Sequence, residues 1–120
     1  LDILKFLKEK TFICLCTNKK QFLAEKILKE FGVSNFFNYI LGSDGKTPLK
    51  PEIEMPEKCL HKFRVPANQV VFVGDSENDI LPAKQLGMFS VHGTYGYGKL
   101  KEKIRADLVI DEIKELRKIF

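Results

Sequence analysis

The chain has 120 residues, of which 44% are hydrophobic, and this composition is typical of one domain with a fair-sized core. Its formal net charge of +4 is mild, and the basic residues are spread over predicted helix faces. A nucleic-acid groove needs clustered basic residues with aromatic platforms, and a membrane span needs a long apolar run. The sequence has neither, so we expect no nucleic-acid partner and no membrane partner.

Hydrophobic spacing and turn residues predict helices that alternate with strands along the whole chain. In the first half we predict a helix over residues 1–10, a strand from Thr11 to Cys16, a helix from Lys20 to Phe31, a strand over 36–41 that begins near Tyr39, and a loop from Gly42 to Pro51. In the second half we predict a helix from Pro51 to Phe63, a strand from Val70 to Val73, a helix from Glu77 to Leu86, strands from Met88 to Val91 and from Asp107 to Ile110, and a helix from Asp111 to Ile119. Because proline is tolerated only in the first turn of a helix, Pro56 allows the first of these helices to begin as late as Met55.

This alternation implies parallel β-α-β units with right-handed crossovers. We therefore predict an α/β fold, a Rossmann-like three-layer sandwich around a mostly parallel sheet. Open sheets of this kind bind ligands at the carboxyl ends of their strands. Polar residues that follow successive strands are expected to meet at that edge.

The most informative segment is the one that follows the apolar strand Val70–Val73. Gly74 ends this strand, and Asp75 and Asp79 come where a helix begins. Two carboxylates at such a corner suit a hard cation such as Mg²⁺. The alternative is that Asp75 and Ser76 only cap the helix, as such residues commonly do.

Two other segments carry weaker signals of the same kind. Thr17 and Asn18 follow the strand Thr11–Cys16, where a hydroxyl, an amide and free backbone N–H groups would suit a phosphate. Lys50 lies between Pro48 and Pro51, where its ammonium group could point at a phosphate. The alternatives are an ordinary helix cap and a solvated loop lysine.

The order of these segments resembles the haloacid dehalogenase-like (HAD) hydrolase superfamily, and most closely its phosphoglycolate phosphatases. Thr17 matches the second motif, Lys50 the third, and Asp75 with Asp79 the fourth. The stretch Gly93–Gly98 resembles the glycine-aromatic loop of the phosphoglycolate phosphatase branch. The resemblance covers nearly the whole chain and implies a HAD-like core.

The resemblance also implies a chemistry, namely hydrolysis of a small phosphorylated metabolite through an aspartyl-phosphate intermediate with Mg²⁺ as cofactor. Asp75 would be a catalytic metal ligand, and Asp79 would hold a metal-bound water or orient Asp75. Thr17 and the backbone N–H of Asn18 would bind phosphoryl oxygens. Lys50 would bind the phosphate and neutralise charge as a catalytic group.

The first motif of the superfamily, Asp-x-Asp-Gly, carries the nucleophile and is not matched in this sequence. Asp2 lies in a helical pattern, and Asp44 with Gly45 lacks the paired aspartate. We interpret residues 1–120 as the C-terminal portion of the core domain, with motifs two to four but without the nucleophile strand and the helical cap. The 120-residue chain alone is expected to be inactive. A non-catalytic fragment or scaffold remains the alternative. A receiver domain would share the fold and an acidic pocket, but this sequence lacks a phospho-acceptor arrangement that matches one.

In the family that the chain resembles, the missing strand lies between the strands Thr11–Cys16 and Val70–Val73. Its absence would leave backbone groups unpaired, at a cost of about 1–3 kcal/mol each where they are buried. We therefore expect that these two strands pair directly, that the chain self-associates, or that it binds the missing N-terminal segment.

The three cysteines do not suggest a disulfide framework. Cys14 and Cys16 lie on the same face of a predicted strand, and Cys59 lies in a helical pattern. A zinc site is not expected, since His61 and His92 have no ligand spacing with them. Reduced, buried thiols indicate a cytoplasmic protein.

Overall fold

A computed structural model describes residues 2–96 and 104–120, and within them the predicted α/β fold with parallel strands is confirmed. The helices are α1 (Asp2–Lys10), α2 (Gln21–Glu30), α3 (Glu54–Phe63) and α4 (Glu77–Leu86). The strands are β1 (Cys14–Lys20), β2 (Tyr39–Ser43), β3 (Val71–Gly74), β4 (Phe89–Gly93) and β5 (Leu108–Ile110). Short 3₁₀ turns cover Ser34–Phe36, Ala67–Gln69 and Ile113–Lys118. None of the helices in the described ranges is both long and apolar enough to span a membrane.

The strands form two parallel sheets instead of the single sheet predicted. One sheet pairs β1 with β2, and the other has the order β3-β4-β5. Within the described residues β1 and β3 are not hydrogen-bonded to one another, so direct pairing, one of the three arrangements expected, is not found, and the other two stay predictions. The carbonyl of Cys16 in β1 accepts a hydrogen bond from the Lys50 ammonium group at 2.8 Å.

The first strand differs from its prediction at both ends. It begins three residues late because the N–H of Thr11 still donates to Leu7 at the end of α1, at 2.9 Å. It also continues to Lys20, and the pairing with β2 shifts in register between Cys16 and Lys20. Thr17 and Asn18 therefore lie in an irregular end of β1 and not after it.

The side chain of Gln21 secures this irregular end. Its Oε1 accepts the N–H of Gly42 at 2.5 Å, and its Nε2 donates to the carbonyl of Ile40 at 2.8 Å. A Cβ atom on Gly42 would lie 2.7 Å from the Cα of Gln21 and 2.8 Å from the carbonyl oxygen of Lys19, so only glycine fits there. Gly42, the first residue of the loop predicted from Gly42 to Pro51, therefore belongs to β2.

The apolar core lies under the β3-β4-β5 sheet. Its buried members come from α1, β4, β5 and the last 3₁₀ turn: Ile3, Leu7, Val91, Ile110 and Leu116. The predicted α-helix over residues 111–119 is instead this 3₁₀ turn, which Glu112 and Glu115 begin with a capping box. It brings Leu116 onto the core, at 3% exposure.

A polar clasp joins β4 to the residue that precedes β5. Ser90 is fully buried, and its N–H and hydroxyl donate to Oδ2 of Asp107 at 2.8 and 3.0 Å. The N–H of Asp107 donates in return to Oγ of Ser90 at 3.0 Å. The hydrogen bond from the Ser90 backbone is the main reason why the pKa of Asp107 lies below its ordinary value.

Replacing Asp107 by asparagine is expected to lower the melting temperature at pH 7. A carboxyl group with a depressed pKa stabilises the fold above its unfolded pKa of about 3.9, and this contribution is lost as the pH falls through the folded pKa. The difference between the parent chain and Asp107→Asn should therefore shrink at acidic pH. Thermal unfolding followed by circular dichroism at pH 7 and at about pH 3 tests this, and an equal difference at both would contradict it.

Candidate active site

Loops and strand ends bring the predicted site residues from three parts of the chain to one place. Thr17 and Asn18 lie at the irregular end of β1, and Lys50 lies in the loop between β2 and α3. Asp75 follows β3, and Asp79 lies in the first turn of α4. Contacts link Asn18 to Lys50, Lys50 to Asp79, and Asp79 to Asp75. The hydroxyl oxygen of Thr17 instead accepts the N–H of Lys19 at 3.2 Å.

A buried ion pair between Lys50 and Asp79 lies at the centre. The Nζ atom of Lys50 is 2.5 Å from Oδ1 of Asp79, and the two side chains are only 8% and 11% exposed. Lys50 also donates to the carbonyl of Cys16 at 2.8 Å and lies 5.6 Å from the ring centroid of Phe72. This one ammonium group thereby connects the two sheets.

The second carboxylate oxygen of Asp79 holds the backbone of Asp75. Oδ2 of Asp79 accepts the N–H of Asp75 at 3.2 Å. The approach is close enough that a Cβ on Gly74 would overlap the Asp79 side chain, which explains the glycine between strand and helix. Both oxygens of Asp79 are therefore used in contacts within the protein.

Of the two residues considered as helix caps, Ser76 takes that role. Its Oγ accepts the N–H of Asn78 at 3.3 Å. The Asp75 carboxylate makes no hydrogen bond within residues 2–96 and 104–120. Capping by serine and a separate role for the aspartate are thus compatible.

Gly96, in the described part of the glycine-aromatic loop, lies against Asp75. A Cβ on Gly96 would overlap the Asp75 carboxylate, so the loop backbone lies directly against it. Burial, followed by the charges of Asp75 and Asp79, raises the pKa of Tyr95 above its ordinary value. Tyr97 and Gly98, which complete the predicted loop, lie outside the described residues, as does Leu1.

Besides the Lys50–Asp79 ion pair, two further contacts in the site were not predicted from the sequence. The side chain of Asn18 pairs with the backbone of Lys50: Nδ2 donates to the carbonyl at 3.0 Å, and the N–H donates to Oδ1 at 2.9 Å. Nε2 of His92 lies 3.1 Å from the carbonyl oxygen of Asp75, although the sequence predicted no role for His92 in the site. An asparagine that follows a strand is the one signal that could have pointed to the first contact.

Asp44 has a structural part in the loop after β2. Its Oδ1 accepts the N–H groups of Lys46 and Thr47 at 2.8 and 2.7 Å. These bonds, first of all the one from Thr47, hold the pKa of Asp44 well below its usual range. An open groove of about 410 Å³ runs beside this turn, where Lys20 and Ser43 end their strands.

The described residues offer few ligands for a cation. In the part of the chain that the structure describes, no three His, Cys, Asp or Glu residues form a group that could hold a metal ion. Mg²⁺ commonly keeps several waters and binds through one or two carboxylates plus a substrate phosphate. The Asp75 carboxylate fits that mode as a single protein ligand. The metal roles of Asp75 and Asp79, and phosphate binding by Thr17, Asn18 and Lys50, stay predictions.

Comparison with known families identifies the class of protein. The model of the haloacid dehalogenase-like hydrolase family matches residues 1–87. The chain belongs to the haloacid dehalogenase-like hydrolases.

Several individual proteins that the chain resembles are phosphoglycolate phosphatases. The chain is 35% identical over 109 residues to the phosphoglycolate phosphatase of Vibrio cholerae, which covers 89% of this chain and 48% of that protein. It is 33% identical over 118 residues to the phosphoglycolate phosphatase of Pseudomonas fluorescens, with 96% of this chain and 43% of that protein covered. The crystal structure of a predicted phosphoglycolate phosphatase from Haemophilus somnus superposes with a TM-score of 0.88 at 31% identity, over 98% of this chain and 54% of that one. The chain spans about half the length of these relatives.

Proposed function

We propose that this chain is part of a Mg²⁺-dependent phosphomonoester hydrolase, with phosphoglycolate as the first candidate substrate. The observation that carries the proposal is the buried Lys50 ammonium group, fixed by Asp79 and by the carbonyl of Cys16 beside Asp75. A cation held this firmly suits phosphoryl transfer, in which catalysis consists mostly of positioning and charge stabilisation. The phosphoglycolate phosphatases among its relatives support the choice of substrate.

In this proposal each residue acts on the phosphoryl group from the edge of the sheets. Lys50 neutralises charge on the phosphoryl oxygens, and Asp79 keeps its ammonium group in place. The Thr17 hydroxyl and the Asn18 N–H donate to phosphoryl oxygens, while the Asn18 side chain holds the Lys50 backbone. Asp75 is the carboxylate that would hold Mg²⁺. When bound, the cation screens the charge between the phosphate and an attacking carboxylate.

The nucleophile of the proposed aspartyl-phosphate route comes from a segment that carries Asp-x-Asp-Gly and lies ahead of Leu1. Two observations support this. The sequence contains no such motif, and in the described residues β1 and β3 each pair along one edge only. These strands are also only partly buried, although β3 reads Val-Phe-Val-Gly. We propose that the N-terminal segment adds a strand there. Self-association through the same strand edges is the competing arrangement.

We also propose that the protein is located in the cytoplasm.

The test compares a protein that includes an Asp-x-Asp-Gly segment with the 120-residue chain alone. Phosphate release from phosphoglycolate and from other phosphomonoesters is measured with and without Mg²⁺. We expect Mg²⁺-dependent hydrolysis by the longer protein and none by the chain alone, because the remaining groups cannot form the covalent intermediate. Turnover by the chain alone would contradict the external nucleophile. A longer protein that binds but never hydrolyses phosphomonoesters would favour the scaffold interpretation.

A further inference from the structure

Three thiols meet where β1 packs against α3, and none of them has been assigned a role in phosphate chemistry. Sγ of Cys14, on the strand, lies 3.1 Å from Sγ of Cys59, on the helix. Cys16 also faces Cys59, and the hydrogen bond between these two is the main reason why the pKa of Cys16 is raised. All three cysteines are free and partly buried.

The geometry singles out Cys14 and Cys59 as a pair. A disulfide bond is about 2.05 Å long, so the two sulfurs need to approach by only about 1 Å. Cys14 and Cys16 are less well placed to join each other, because residues two apart on a strand are about 6.6 Å apart along it, near the upper limit of about 6.8 Å for the Cα atoms of a disulfide. A separation of 45 residues in sequence makes the close approach of Cys14 and Cys59 a product of the fold.

We propose that Cys14 and Cys59 form a site of reversible oxidation, where a hydroperoxide converts the two thiols into a disulfide. One thiolate attacks the peroxide oxygen, which gives a sulfenic acid and releases hydroxide. The second thiol then attacks the sulfenic sulfur, so that the S–S bond forms and water leaves. In sum, two thiols and one hydrogen peroxide give one disulfide and two waters, with sulfur oxidised and peroxide oxygen reduced.

The environment of this pair slows its oxidation at neutral pH. The hydrogen bond from Cys14, together with burial, raises the pKa of Cys59 to about 12. Because the thiolate is the reacting form, oxidation through Cys59 is slow at neutral pH, and its rate rises about tenfold for each unit of increase in pH until the pH reaches the pKa. Only a strong oxidant such as a peroxide, or an alkaline medium, is expected to close the bond quickly.

The bond would tie together two elements that frame the candidate site. The strand with Cys14 continues to Thr17, and the helix with Cys59 follows the loop that holds Lys50. The Lys50 ammonium group already contacts the carbonyl of Cys16 in the same region. A disulfide would therefore restrain any movement of α3 and its preceding loop relative to β1.

The experiment treats the native chain with hydrogen peroxide, blocks the remaining thiols with an alkylating agent and maps tryptic peptides by mass spectrometry. We expect a species, reversible by dithiothreitol, that joins the peptide of residues 11–19 to the peptide of residues 59–62. Because Cys14 and Cys16 share one peptide, serine variants assign the bond. Cys16→Ser should keep the yield, and Cys14→Ser should lower it severalfold.

A denatured control separates proximity in the fold from chance pairing. In guanidinium chloride the same treatment should give a mixture that includes Cys14 joined to Cys16, while the native chain should give mainly Cys14 joined to Cys59. Equal product distributions in the native and denatured chain would overturn the proposal. So would equal yields from Cys14→Ser and Cys16→Ser, or recovery of Cys59 only as higher sulfur acids or in intermolecular dimers.

Discussion

Replacing Lys50 by methionine is expected to destabilise the chain by about 3–5 kcal/mol, because it removes the cation that compensates a buried carboxylate. Asp79 is 11% exposed and would keep only its contact with the Asp75 N–H. Urea unfolding followed by circular dichroism measures the change as a shift of the midpoint. This effect is separate from any loss of turnover, so it can be measured on the chain alone.

A surface ion pair offers the matched control. Lys58 lies 3.5 Å from Asp44, but both side chains are almost half exposed. Lys58→Met should therefore cost about 0–1 kcal/mol. Adding Asp79→Asn to Lys50→Met removes the uncompensated charge and should restore part of the stability. If Lys50→Met and Lys58→Met cost the same, or if the double variant is no more stable than Lys50→Met, the buried pair does not have the role assigned to it.

Replacing Asp75 by asparagine in the protein that carries the nucleophile motif is expected to lower kcat by about two to three orders of magnitude while sparing the fold. The Asp75 carboxylate makes no hydrogen bond in the described ranges 2–96 and 104–120, so its charge contributes little to packing. Asparagine has nearly the same shape and keeps the N–H that Asp79 accepts. The measurement is kcat on phosphoglycolate over a range of Mg²⁺ concentrations, beside a thermal melt.

Two results decide the Asp75 prediction. The variant should melt within a few degrees of the parent protein and should need more Mg²⁺ for half-maximal activity. His61→Ala is the control, since His61 is exposed on α3 and should leave kcat unchanged. A kcat close to that of the parent protein, at unchanged Mg²⁺ demand, would contradict the assignment of Asp75 to the cation.

The candidate site could be assembled from the sequence as a set of residues but not as a set of contacts. Thr17, Lys50 and Asp75 each follow or adjoin a strand whose hydrophobic pattern is legible, so their meeting at one edge follows from parallel topology. The partner that Asp79 takes does not follow from any pattern. Asp79 pairs with Lys50 because of the path of the loop between β2 and α3, and the sequence of a loop has no hydrophobic periodicity from which its path could be predicted.

The sequence by itself determined the order and kind of most elements, because hydrophobic period, glycine and proline act over a few residues at a time. Only the tertiary structure decided which distant side chains meet. Lys50 pairs with Asp79 across 29 residues, Asn18 holds Lys50 across 32, and Cys14 reaches Cys59 across 45. It also decided that the strands divide into two sheets. Such pairings depend on strand order and on which backbone groups find another partner first, and both are set by packing over the whole domain.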